Sequence, residues 1–263
     1  MDCKNCKTYL SDKSKYCYAC GGKVIRNRLT LKNLFQDFSE TYLNYDNTFF
    51  KTFIHLFTKP EQVIGGYIDG VRKKYVNVIS YFMIALTITG LEWFILRKYF
   101  PETIDLSAIS YQKNNKIAEE VFNTIQDNIS LSMMLLVPLY ALISRIVFLN
   151  IKKYIYTEHL VIFMYILAQV SIFGTLINIA GAFVGISIGK LTYSIFPFQI
   201  IYSAYCLAHL YKLSLKGIIL RTLLFVVVFL VIYLISIIIG GISLYLIKGP
   251  EFFKEFIEVK NSA

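Results

Sequence analysis

Charge is scarce in this chain: Asp, Glu, Lys and Arg make up 17% of its 263 residues, while 56% are hydrophobic and the mean hydropathy is +0.55. Soluble domains carry about 25% charged and 45–50% apolar residues. Too few polar groups remain to coat a soluble globule, and the apolar content excludes intrinsic disorder. Histidine is scarcer still, with His55, His159 and His209 alone, and no two share a metal-ligand spacing. There is no HExxH, GxSxG, Walker loop or dinucleotide fingerprint, so no catalytic constellation is nominated and an enzyme is not expected. The five cysteines form no disulfide framework, because four sit in two tight pairs near the start. The first 28 residues are polar and lack the apolar core of a signal peptide, so this head is expected in a reducing compartment.

What the chain does contain is long apolar runs. Five are expected to cross a bilayer, at about 76–96, 129–149, 160–189, 193–213 and 222–247, since about 20 residues span a hydrocarbon core of about 30 Å. The third is too long for an upright helix and must tilt, project or break among its glycines. The expected fold is an all-α polytopic membrane protein with a small N-terminal zinc ribbon or knuckle and amphipathic interfacial helices. Its expected divisions are a zinc ribbon at 1–28, interfacial helices and a basic connector at 29–75, a transmembrane domain at 76–248 and an amphipathic tail at 249–263. Two apolar stripes fall in the second division: Leu31, Leu34, Phe35, Phe38 and Tyr42 after a capping Thr30, and Phe49, Phe50, Phe53, Ile54 and Phe57 before Pro60. Neither suffices to cross a bilayer, so both are expected in the interface plane.

The net charge of +10 is distributed around the apolar runs rather than along one face. Residues 1–75 hold 13 Lys or Arg against 7 Asp or Glu, and Lys152, Lys153, Lys212, Lys216 and Arg221 fall in alternate connections. That pattern places the N-terminus in the cytoplasm, the chain in the cell inner (cytoplasmic) membrane and, for five spans, the C-terminus outside. Membrane lipids are the expected partners of these cations, and nucleic acid is not expected.

The strongest motif is Cys3-x2-Cys6 with Cys17-x2-Cys20. Two tight turns brought together set four thiolates at the corners of a tetrahedron, which suits one structural Zn2+ and, with the same geometry, iron. Gly21 and Gly22 supply the open backbone that such a turn needs. The short spacer implies a minimal hairpin, and no internal repeat is legible. A segment this small folds on metal binding rather than on apolar burial.

Inside the apolar runs, ionisable groups are nearly absent. Glu92 beside Trp93 is expected at the outer interface. Arg145, Glu158, His159 and His209 are candidates for a polar cluster at the cytoplasmic mouth, Gln169 for a helix-to-helix bond, and Cys206 for packing. Gly181, Gly185 and Gly189, four apart, mark a close-packing helix face, with homo-oligomerisation through it as the functional version. Arg72, Lys73 and Lys74 are placed to hold lipid headgroups or another anion where the first span enters the bilayer.

The stretch from Lys59 to Asn77, Lys-Pro-Glu-Gln-Val-Ile-Gly-Gly-Tyr-Ile-Asp-Gly-Val-Arg-Lys-Lys-Tyr-Val-Asn, resembles the signature of an uncharacterised family of bacterial membrane proteins. Members share a CxxC…CxxCG zinc-ribbon head, a Pro followed by a Tyr- and Gly-containing basic segment, and several membrane helices. The resemblance covers about the first 95 residues and implies architecture, with no activity to transfer. Val71 and Asn77 depart from its pattern; without a proline at 77 the first span is free to begin earlier. Two functions fit these features. One is a membrane-anchored interaction, scaffold or sensor module that recruits a protein partner through its ribbon. The alternative is a transporter or lipid-handling protein of flippase or scramblase type.

Overall fold

The computed structural model describes residues 1–11, 14–22, 24, 30, 45–104, 124 and 128–261. The chain divides into two compact units, Met1–Thr48 and Phe49–Ala263. The described residues are mostly helical and contain no strand; an isolated antiparallel bridge joins Asp2 and Tyr9. The first apolar stripe, at 31–42, and the helix expected at 117–125 in the loop after the first span lie outside the described residues, except Thr124.

The first unit is built from two turns of the same design. In one, the Cys3 amide donates to Thr8 O, the Lys7 amide to Cys3 O and the Leu10 amide to Met1 O, at 2.8–2.9 Å. Fourteen residues on, the amides of Cys17, Gly21 and Val24 donate to Gly22 O, Cys17 O and Lys15 O at 2.8–2.9 Å. Leu10 is fully buried against Cys3 and Cys17, with Val24 packed beside them. So few apolar side chains cannot by themselves offset the ordering entropy of the segment.

The second unit is a helical bundle. Its elements are α1 (Tyr45–Thr58, which enters from the first unit), α2 (Val78–Tyr99), α3 (Ile129–Val147), α4 (Tyr156–Phe183), α5 (Ile188–Tyr211) and α6 (Leu215–Asn261). α4 is central and packs on α2, α3 and α5, while α6 packs on α3 and α5. Among the described residues, four helices are long and apolar enough to cross a membrane: α2, 130–147 of α3, α4, and Leu215–Ser236 of α6. The expected span at 193–213 falls in α5, which has the length but not the apolarity, carrying Lys190, Thr192, Ser194, Gln199 and Ser203 along with Pro197. Leu223, Val227, Leu230, Leu234 and Ile238 of α6 are all exposed, as expected of a surface meant for lipid rather than water. These features are those of a multi-pass membrane protein.

Several boundaries differ from the sequence reading for local reasons. Asn77 is not absorbed into the first span: its Oδ1 accepts from the Ile79 amide at 3.0 Å and caps α2, which starts at Val78. The third apolar run breaks at a turn in which Gly185 takes φ +74°, a left-handed conformation that suits glycine. Gly181 then lies in α4, Gly185 in the turn and Gly189 in α5, so the three share no helix face. Gly181 instead seats Leu191, whose Cδ1 an added Cβ would overlap. α6 continues helically through Gly249 and Pro250 to Asn261, where a separate tail was expected.

The second apolar stripe and the connector pack into the bundle rather than lying flat on an interface. Thr52 and Leu56 of α1 are fully buried, Phe49 meets Tyr81, and Phe57 packs against Phe173 and Tyr202. Phe50 and Ile54 of the same stripe face outward. After α1 the chain makes a π-helical turn at Glu61–Gly65 with Val63, Ile64 and Gly65 buried, then one α-turn at Gly66–Ile68. This segment packs on α5, where a Cβ added at Gly65 would make an ordinary van der Waals contact with Leu210 at 3.7 Å.

Candidate functional site

The four cysteines Cys3, Cys6, Cys17 and Cys20 converge, each offering one sulfur, with all four sulfurs within 4.8 Å of one another. Cys3 Sγ lies 3.7 Å from Cys20 Sγ, and Cys6 Sγ 3.6 Å from Cys17 Sγ. A disulfide requires about 2.05 Å, so these pairs are not bonded. A tetrahedral thiolate site with metal–sulfur bonds of about 2.3 Å has edges of about 3.8 Å, close to the two short separations. The residues therefore fit a metal ion. Four protein thiolates would fill its coordination sphere, leaving no open position for a substrate.

The two turns also supply the electrostatics. Cys6 Sγ is 3.2 Å from Thr8 Oγ1. The Thr8 hydroxyl and backbone amide together pull the Cys6 thiol down to about 6. At the equivalent place in the second turn, the Gly22 backbone amide and the Asn5 side chain lower Cys20. Donors aimed at sulfur favour the thiolate that a metal requires. The repeat was hidden in the sequence because only the cysteines and little else match; the structure pairs Lys7 (φ +62°) with Gly21 (φ +71°) as the left-handed residue closing each turn.

Within the bundle, the proposed lipid-facing basic group is distributed over an exposed turn. Arg72 stacks on the Tyr67 ring at 4.0 Å and donates to the Tyr67 carbonyl, so its guanidinium also pins its own turn. Lys74 lies over Tyr75 at 5.2 Å, with Lys51 of α1 at 5.9 Å from the same ring. Lys73 is exposed.

The four residues expected at one mouth part company. His159 is fully buried, its Nε2 3.1 Å from the Tyr211 hydroxyl, and Arg145 lies within electrostatic range of both. Glu158 accepts from the Ile155 amide at 2.7 Å and caps α4. His209 is exposed, turned onto the Tyr205 ring at 4.3 Å. Arg221, which the sequence reading left in a connection, joins the buried group by stacking over Phe148, itself stacked on Tyr211 at 4.3 Å.

Glu92 is the clearest departure. It is 3% exposed within the bundle, accepting from the Thr175 hydroxyl and, at 2.7 Å, from Asn178 Nδ2. Only the packing of α2 on α4 reveals these partners, 83 and 86 residues away. Gln169 bridges elements as a buried glutamine should: its Oε1 accepts from Tyr81 and its Nε2 donates to Phe53 O at 3.0 Å. Cys206 is fully buried in α5.

Residues 46–90 match a protein family described as Protein of unknown function (DUF3667). The matched segment takes in most of α1, the buried connector, the Arg72 turn and the first half of α2. No curated protein and no solved structure matches the chain. The similarity thus falls on the segment that threads the bundle, and the cysteine cluster lies outside it.

Proposed function

We propose that this protein is an integral membrane interaction module, acting as a scaffold or sensor, whose N-terminal cysteine unit is a structural zinc ribbon exposed to the cytoplasm. The observation that carries this reading is the closed four-thiolate cluster on a small polar unit, in a chain whose remainder is an apolar helical bundle. A four-thiolate site leaves zinc no vacant position for chemistry, so its contribution is folding energy and a rigid surface. The exposed Tyr9, Tyr16 and Tyr18 on that unit suit a protein contact, since tyrosine gives large contact area at low entropic cost.

The charge distribution supports an inner (cytoplasmic) bacterial membrane with the N-terminus inside. Arg72, Lys73 and Lys74, exposed just before α2, then lie at the level of anionic headgroups. The test combines metal analysis with proximity labelling in the native membrane, comparing the full chain with its C17S/C20S variant. The reading expects one zinc per chain, and a neighbouring protein labelled by the wild type but not by the variant, while C206S behaves as wild type. An identical set of labelled neighbours from a variant that has lost its metal would overturn it.

A further inference from the structure

One apolar cleft in the bundle meets the buried group around Tyr211 at one end. It runs between α5 and α6 over α3 and α4, has a cavity volume of about 200 Å³, and is lined by Tyr140, Phe163, Phe196, Phe225 and Phe229 among other apolar groups. Its lining follows α6 from Ile218 to Leu230, on the order of 18 Å at 1.5 Å per residue. Arg221 and Phe148 line it at one end. That end is where the α3–α4 turn meets the end of α5: Lys153 Nζ and the Tyr154 hydroxyl both donate to Leu210 O.

The cations at this end are incompletely used. Arg221 donates through Nη1 to Gly217 O at 3.3 Å, while its buried Nε has no hydrogen-bond partner. Arg145 Nη1 is likewise buried without one. Both guanidinium groups act on the same Tyr211 hydroxyl, and neither forms an ion pair with a carboxylate among the described residues. Both side chains are half-buried, and leaving a buried donor nitrogen of each unsatisfied is costly. An apolar slot ending in unsatisfied guanidinium donors is complementary to one kind of molecule.

We propose that this cleft binds a single anionic amphiphile, with an acyl chain along α5 and α6 and its acidic head, phosphate or carboxylate, on Arg221. The site is independent of the cysteine unit and of the interaction reading above. Binding here is selective for charge, unlike the coating of lipid around any membrane helix, because a net negative head makes a charge-assisted pair with the guanidinium, while the cation of a zwitterionic head is repelled by it.

The test is native mass spectrometry of the delipidated full-length protein, titrated with phosphatidylglycerol, with phosphatidylcholine of the same chains, and with the matching free fatty acid. Wild type is expected to bind one anionic lipid roughly tenfold more tightly than the zwitterionic one, the equivalent of one charge-assisted contact. R221Q should abolish that preference and R221K should keep most of it. A204F, which fills the cleft wall, should weaken both lipids alike. Fatty-acid binding that depends on Arg221 would identify a carboxylate head, and its absence a phosphodiester; either supports the site. Equal binding of the two phospholipids by wild type would overturn the proposal, as would an undiminished preference in a folded R221Q. Should R221Q not fold, wild-type affinity for anionic lipid retained in A204F would overturn it.

Discussion

The side-chain amide of Gln169, at the centre of α4, donates to the backbone carbonyl of Phe53 in α1 at 3.0 Å. Its oxygen accepts from Tyr81 of α2, so one buried residue ties together three helices. The neighbouring Tyr165 hydroxyl donates to Val76 O at 2.7 Å and Tyr202 to Leu56 O at 3.0 Å, so the family-matched segment is held by its backbone as well as its side chains.

Replacing Gln169 by Leu strands the Tyr81 hydroxyl and the Phe53 carbonyl. The expected loss is about 1–3 kcal/mol. Thermal unfolding in detergent measures it, and in a double-mutant cycle Y81F should cost little more once Gln169 is gone. Full additivity of the two changes would refute the coupling.

Lys7 and Gly21 occupy equivalent left-handed positions, which predicts opposite signs for two substitutions. K7G should strengthen metal retention and G21A weaken it, each by about 1 kcal/mol, since a Cβ is disfavoured at positive φ. Open space around Gly21 makes the second effect purely conformational. Competition against a chelator dye reads both.

Metal occupancy of the cysteine unit should fall as the pH is lowered, because protons compete for the four sulfurs. Cys6, held at about 6 by Thr8, should be the most acidic contributor, and T8V should move the release to higher pH. A metal content independent of pH from 5 to 8, tested at about those limits, would contradict thiolate ligation.

Glu92 is expected to hold α2 to α4. E92L removes the acceptor of the Thr175 and Asn178 donors and should cost about 1–3 kcal/mol. Its thermal midpoint in detergent should drop, and a T175V/N178L background should recover part of the loss. An interfacial Glu92 would leave the midpoint unchanged.

His55 gives a pH dependence of opposite origin to the metal's. Partial burial, then Lys59, Lys51 and Lys74, holds its imidazole below the ordinary value of 6.5. The folded chain therefore binds its proton less readily than the unfolded one, and stability present above pH 6.5 declines as the pH falls below it. The stability profile of H55Q should be flatter over that range; an unchanged slope would remove His55 as its source.

The cysteine cluster was legible because its information is local: a CxxC pair closes a turn whatever surrounds it, and four thiolates have one economical way to share a metal. Apolar runs were legible for a similar reason, since the length needed to cross a bilayer is a property of a segment alone. Glu92 was not, because its acceptance into the interior depends on Thr175 and Asn178, donors supplied by another helix.

Sequence by itself determined that the chain is apolar, helical and able to bring four cysteines to one point. Tertiary structure decided that Pro60 and Val63–Gly65 of the connector are buried, that the Gly181–Gly189 series is split by a turn, and that Arg221 rather than His209 joins Arg145. Hydropathy and spacing report what a segment prefers; which polar groups satisfy one another is set only when helices distant in sequence pack together.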